Sequence, residues 1–283
     1  MMAAETNKLG LIAGGGDFPV LLAREASRKG WEVYVVGFEG LTSRAIEEFS
    51  AGASYYKLGQ VSRPLEMLKS CGVKKIALAG LIRHTSIFGG YSPDLRALKI
   101  LARMKDMRAE SIFAAIRAEF ADAGMEMADV KAFLEKDMAG DGVLCGEKPS
   151  RDVMKSVSLG WKVAKELAKV DVGLACVVCG RAIVAVEAME GTDACIARAG
   201  EIMRSGSHAA GKEGGLVVVK VARPGQDLRF DLPVIGAATA ETMKKAGAVL
   251  LAVEAGKTLI IEKEKTFGAF VSAGITLIGV ENI

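Results

Sequence analysis

Apolar and polar positions along this chain alternate between two periods, and the switching predicts its elements. Residues 9–13 form a short apolar run that stops at Gly14-Gly15-Gly16, and residues 18–29 then carry Leu21, Leu22, Glu25 and Ala26 at helical spacing up to Gly30. Strands are expected at 32–36, 53–57 and 75–79, with helices at 43–50 and 64–70 between them. Strand and helix in that cadence mean right-handed βαβ units on a parallel sheet. Residues 95–123 read as a long amphipathic helical stretch, broken near 105–108, and 125–129 as one more short strand. From 139 to 150 the chain turns to Gly, Asp, Lys and Pro, the composition of a linker.

Beyond the linker the layout changes. A helix to residue 169 leads into strands at 173–178 and 182–188, joined by a turn at Cys179-Gly180-Arg181. A helix at 192–203, a Gly/Ser/His loop at 205–214 and a strand at 216–221 come next. A charged loop with two prolines fills 222–236, followed by a helix at 238–246, strands at 249–253 and 258–261, a helix at 264–273 and a last strand at 276–280. The whole reads as an α/β protein. A Rossmann-like N-terminal domain with a parallel sheet is expected over 1–138, a linker over 139–150 and a distinct C-terminal α/β domain over 151–283.

Composition narrows the class. The 283 residues suit two domains of ordinary size, and 51% hydrophobic with 25% charged residues excludes fibrous and disordered chains. The balance of 37 basic and 34 acidic residues leaves +3, with no Lys/Arg block to track a phosphate backbone, so no nucleic-acid partner is expected. Five cysteines, an odd number widely spread, point to a reducing compartment. Cys176 and Cys179 sit within an expected strand, three apart and so on opposite faces, which favours a structural role over zinc. The first residues lack the basic-then-apolar order of a signal peptide, and no apolar run approaches the roughly 18 residues of a membrane span, so a cytoplasmic protein is expected.

Several clusters carry candidate chemistry. Gly14, Gly15, Gly16 and Asp17 lie between a first strand and a first helix, where backbone amides and the helix dipole meet anions. The dinucleotide fingerprint is incomplete, because Pro19 stands at its third glycine; Glu39 would be its ribose contact, and a glycine turn without a ligand is the alternative. Glu254-Ala-Gly256-Lys257-Thr258 resembles the tail of a phosphate loop but lacks the upstream glycine, leaving a hairpin turn with Glu254 and Lys257 at its tip. The run from Lys220 through Pro224, Gln226, Asp227, Arg229, Asp231 and Pro233 is the sharpest signal. Its stiff Asp-x-Arg-x-Asp core suits a divalent cation held against phosphate oxygens that Arg229 neutralises, with a solvated charged loop as the alternative. Glu187, Glu190, Thr192 and Asp193 form a second cluster, either functional or a helix cap. Arg83 and His84 follow the 75–79 strand at its carboxyl end, and His208 lies in the 205–214 loop; neither histidine has a nucleophile partner by spacing.

Taken in order, Leu11-Ile-Ala-Gly-Gly-Gly-Asp17-Phe-Pro19, Ala185-Val-Glu187-Ala-Met-Glu190-Gly-Thr-Asp193, Pro224-Gly-Gln-Asp227-Leu-Arg-Phe-Asp231-Leu-Pro233 and Val253-Glu-Ala-Gly256-Lys-Thr resemble the LpxI family of UDP-2,3-diacylglucosamine pyrophosphatases. That resemblance implies Mg2+-dependent cleavage of UDP-2,3-diacylglucosamine to UMP and 2,3-diacylglucosamine 1-phosphate, lipid X, in lipid A biosynthesis. It further implies work at the cytoplasmic face of the inner membrane, in peripheral contact with it, by two domains holding the lipid. The family's essential aspartate would be Asp227 or Asp231, the glycine loop with Asp17 would face the nucleotide or diphosphate, and Glu187, Glu190 and Asp193 would support the metal or the sugar. Arg83, His84, Lys220, Gln226 and Thr192 complete the expected substrate contacts, and residues 95–123 the expected acyl-chain lining. One departure stands out: Arg108-Ala109-Glu110 replaces an expected Gly-Asp-Asp, so an acidic role there falls to Glu110 or Asp106. From the residues alone, a nicotinamide- or flavin-dependent oxidoreductase and a non-catalytic nucleotide-sugar-lipid binder are the rivals.

Overall fold

The computed structural model describes residues 7–82, 93–104, 109–205, 215–225 and 232–281. The chain divides into two units, the first reaching Leu134 and the second starting at Glu135.

In the first unit β1 (Lys8–Ala13), β2 (Glu32–Phe38), β3 (Gly52–Tyr56), β4 (Lys75–Ala79) and β5 (Glu126–Met127) form one sheet in the order β3-β2-β1-β4-β5, all neighbours parallel. Leu9 and Leu11 of β1 are fully buried, as befits a central strand covered on both faces. Chain order reverses between β1 and β4. The predicted 43–50 helix is a 3-10 helix, Arg44–Phe49, and the 125–129 strand shrinks to the two residues of β5. The long helical stretch is two helices, Leu95–Arg103 and Ala109–Asp122; Met104 closes the first with an extended backbone.

Asp94 serves two helices at once. Its Oδ1 accepts the Ala97 amide at 2.8 Å, capping Leu95–Arg103, while Oδ2 accepts the Val61 and Ser62 amides, each at 2.8 Å, at the start of Ser62–Ser70, whose own N-cap residue offers no side-chain bond. Burial pushes the Asp94 carboxyl up, but these amide bonds outweigh it and the net effect lies below the usual aspartate range. A depressed value stabilises the fold at pH above the ordinary aspartate pKa, and that contribution disappears as pH falls through the depressed one. Asp94→Ala is therefore expected to cost about 1–2 kcal/mol at pH 7. Denaturant titrations of both proteins should show the gap narrowing at about pH 3, below the ordinary aspartate pKa; a gap independent of pH would rule out the charged cap.

The second unit holds a six-stranded sheet in the order β6-β13-β11-β9-β7-β8, built from β6 (Gly142–Cys145), β7 (Ala175–Cys179), β8 (Ala182–Val186), β9 (Leu216–Lys220), β11 (Ala248–Glu254) and β13 (Thr276–Val280). Its centre, β9-β11-β13, is parallel, and β6 and the β7–β8 hairpin flank it in antiparallel register. Residues along β9 alternate between two cores. Val217 and Val219 pack with Val157, Trp161 and Ala164 of helix Arg151–Lys169, whereas Leu216 and Val218 face Cys195, Ile196, Met243 and Phe270 on the other side. A Cβ on Gly160 would lie 2.6 Å from Val219 Cγ2, so glycine sets how closely that helix approaches the sheet.

Two expectations fail here for the same reason: very short strands borrow their pairing from distant partners. The expected linker over 139–150 contains β6, which pairs with β13 and tucks Leu144 and Cys145 against the core. The expected hairpin after β11 is absent, since β12 (Leu259–Ile260) pairs in parallel with β10 (Val234–Ile235) and not with β11. All five cysteines are free thiols. Burial pushes the Cys176 thiol up to about 12, which keeps it protonated and inert at neutral pH.

Candidate functional site

In the first unit the glycine loop sits at the carboxyl ends of β1 and β4, where an open parallel sheet changes winding direction and ligands bind. The loop is bolted to the exit of β4. Gly14 N–H donates to Ala79 O at 2.7 Å, and Gly15 and Leu81 exchange both backbone bonds at 3.0 Å. Two of the amides that the sequence offers to an anion are thus used by backbone carbonyls. Gly16 and Asp17 are exposed, and the helix Phe18–Arg28 starts beside them with no side-chain cap from Asp17. The amides still on offer to an anion at this place are those of Gly16, Asp17 and the first helical turn, where Pro19 has none. Thr42 ties β2 to the same edge: its hydroxyl donates to Ala13 O and accepts the Phe38 amide at 2.8 Å.

In the second unit the carboxyl ends of β8, β9, β11 and β13 share one edge, because Ala175 of β7 pairs with Lys220 and Lys220 with Val253, while Val253 pairs with Gly279. Lys220 lies at this edge, its Nζ donating to Val234 O at 2.9 Å. Glu254, expected at an exposed turn tip, is 3% exposed instead. Its Oε2 accepts from Lys165 Nζ at 2.5 Å and from the Ala222 amide at 2.8 Å, and its Oε1 accepts from Lys257 Nζ at 2.7 Å. Burial pushes this carboxyl up, yet the bonds from Lys165, Lys257 and the Ala222 amide prevail and hold it below the usual glutamate range. Arg223, the next residue, pairs with Asp171. Nothing in the sequence patterns marks Lys165, which appears there only as a polar position on an amphipathic helix.

The acidic cluster at the end of β8 is knitted into its own turn. Glu187 accepts the Leu174 amide at 3.1 Å and the Thr192 hydroxyl at 2.9 Å; Glu190 accepts the Ala188 amide at 3.1 Å and Arg198 at 2.6 Å. Arg198 beside Glu190 holds that carboxyl below its usual range. Asp193 is exposed in the first turn of helix Thr192–Ser205, where an acidic residue complements the dipole. Among the described residues no three of His, Cys, Asp and Glu converge on a metal position. Asp227, Asp231, Arg229, Gln226, Arg83, His84 and His208, together with Asp106 and Arg108, lie outside the described residues.

Comparison with known proteins covers both units. The LpxI N-terminal domain matches residues 8–136 and the LpxI C-terminal domain matches residues 140–278. UDP-2,3-diacylglucosamine pyrophosphatase LpxI of Caulobacter vibrioides is 30% identical over 280 residues, 97% of this chain and 98% of that protein. Among solved structures, phosphoribosylglycinamide synthetase from Anaerococcus prevotii is 14% identical with a TM-score of 0.24, over 63% of this chain and 38% of that one. The biotin carboxylase subunit of pyruvate carboxylase is 17% identical with a TM-score of 0.26, over 75% of this chain and 44% of that one. This chain thus spans less than half of each of those two, and likeness at that level carries no argument.

Proposed function

Since the chain belongs to the LpxI family, we propose that it is a UDP-2,3-diacylglucosamine pyrophosphatase of lipid A biosynthesis, a hydrolase that splits the diphosphate into UMP and lipid X. The observation that carries this is the match of both family domains in order, joined to a full-length relative of that name. Neither rival reading has comparable support, and the oxidoreductase reading also lacks the third fingerprint glycine.

Hydrolysis brings water to a phosphorus already ringed by negative oxygens, so the site must supply positive charge and a group that orients the water. Arg229 supplies fixed charge to the phosphoryl oxygens. Asp227 and Asp231 are the carboxylates for metal and water. A Mg2+ ion held there would add a Lewis acid against the same oxygens. Gly16 and Asp17 face the nucleotide or the diphosphate.

A diacylated substrate resides in a bilayer, and no helix among the described residues is long and apolar enough to cross one. Helix Leu95–Arg103 leaves Leu95, Leu98 and Leu101 exposed at 80, 48 and 40%, with Lys99 and Arg103 on the adjoining face. That arrangement suits peripheral contact with an anionic membrane surface at the cytoplasmic face. Purified protein given UDP-2,3-diacylglucosamine in detergent micelles is expected to release UMP and lipid X in equal amounts, with EDTA stopping the release. No UMP from folded protein supplied with Mg2+ would overturn the assignment.

A further inference from the structure

Ala222 lies two residues past the end of β9 and four before Gln226, and one ion pair holds both of its backbone polar groups. Glu254 Oε2 accepts the Ala222 N–H at 2.8 Å, while Lys165 Nζ donates to the Ala222 carbonyl at 3.1 Å and to the same carboxylate oxygen at 2.5 Å. The three residues come from a helix, the exit of β9 and the end of β11, and Lys257 closes the far oxygen of Glu254. On either side of Ala222 the chain is fastened again, by the Val221 amide to Leu174 O at 2.9 Å and by Arg223 to Asp171.

Glu254 is buried, Lys165 is partly buried and Lys257 reaches solvent. A buried ion pair is weak evidence for stability, since well-packed apolar side chains of the same volume often serve a core as well. Ala222 is fully buried, so its amide and carbonyl need partners inside the protein, but neutral groups would satisfy them without an ion pair. What a charged, hydrogen-bonded clamp supplies is a single geometry, since each partner is costly to leave unpaired. That geometry is imposed on the chain immediately ahead of the segment holding Asp227, Arg229 and Asp231.

On the premise that the chain is a diphosphate hydrolase acting through that segment, we propose that Lys165 and Glu254 are positioning residues for the reaction: they touch neither substrate nor water and act through the backbone of Ala222. Removing either should misdirect the catalytic groups more than it weakens substrate binding.

Steady-state UMP release from UDP-2,3-diacylglucosamine in wild type, Glu254→Gln, Lys165→Met and the double variant tests this, with amide hydrogen exchange of the peptide covering 217–225 measured alongside. Each single change is expected to lower kcat by about ten- to a hundredfold while KM stays within about threefold. The double variant should be no slower than the slower single, because both act through one clamp. Exchange at the β9 exit should quicken in each, and Lys165→Arg should regain most of the rate. Ile196→Val, a core change in the same unit, separates general destabilisation from positioning: it should lower the melting temperature and keep kcat. Single variants with kcat within about twofold of wild type, losses that multiply in the double, or unaltered exchange would each overturn the proposal. Should Glu254→Gln or Lys165→Met fail to fold, Lys257→Met decides it: it should quicken exchange at the β9 exit and lower kcat, and normal exchange with normal kcat in that variant would overturn the proposal. Absence of UMP release in wild type would instead sink the hydrolase premise, while the exchange data would still report whether the clamp holds Ala222.

Discussion

Asp227→Ala and Asp231→Ala are each expected to abolish turnover of UDP-2,3-diacylglucosamine, a fall of about a thousandfold or more, with the fold intact. A phosphorus that carries an anionic oxygen and is bridged to a second charged phosphate repels an incoming oxygen, so the reaction depends on groups that gather charge and aim the water. Among the described residues, Glu187 and Glu190 are committed to the turn that starts helix Thr192–Ser205 and Glu254 to the lysine clamp. Far-ultraviolet circular dichroism and melting curves should match wild type while UMP release disappears. Wild-type turnover in both variants would place the chemistry elsewhere.

Gly80→Ala is expected to be the most damaging small substitution in the first unit, at about 2–4 kcal/mol. Gly80 has a φ of +92°, and a Cβ there would stand 2.7 Å from both Gly15 O and Pro19 Cγ and 2.9 Å from the Gly14 carbonyl carbon. Rigid backbone cannot yield as a side chain would. Gly16 offers the internal comparison: its φ is +88° but nothing lies within 4 Å, so alanine there meets backbone strain alone, about 1 kcal/mol. Denaturant unfolding of the two variants should differ by that margin. Equal costs would mean that packing of the glycine loop on the exit of β4 does not hold the loop in place.

Much of the fold was legible because its central strands are unbroken apolar runs: Leu9–Ala13 within β1 and Leu216–Val219 within β9 can hardly be anything but buried parallel strands. β6 escaped because three apolar residues among glycines and charges look like loop until a partner at residues 277–279 is known. The site divides in the same way. Motif order along the chain was enough to suggest the family, since those motifs are local. Lys165 was invisible, because its carboxylate partner lies 89 positions away and no local period links them. The Gly14 and Gly15 amides looked available to an anion for a similar reason: the carbonyls that take them belong to Ala79 and Leu81. Sequence shows which groups a segment offers, and only the folded chain shows which offers have already been accepted.

The paired backbone of Gly15 and Leu81 makes two loops into one object. The chain leaves β4 along a line dictated by the glycine turn, and Arg83 and His84 follow within three residues. Any change that reshapes the turn is inherited by Leu81 at the exit of β4. Exchanging substrate preference with a relative at this end of the sheet therefore requires transplanting both loops together; a graft of one alone would inherit the other's frame and point its side chains along the wrong line.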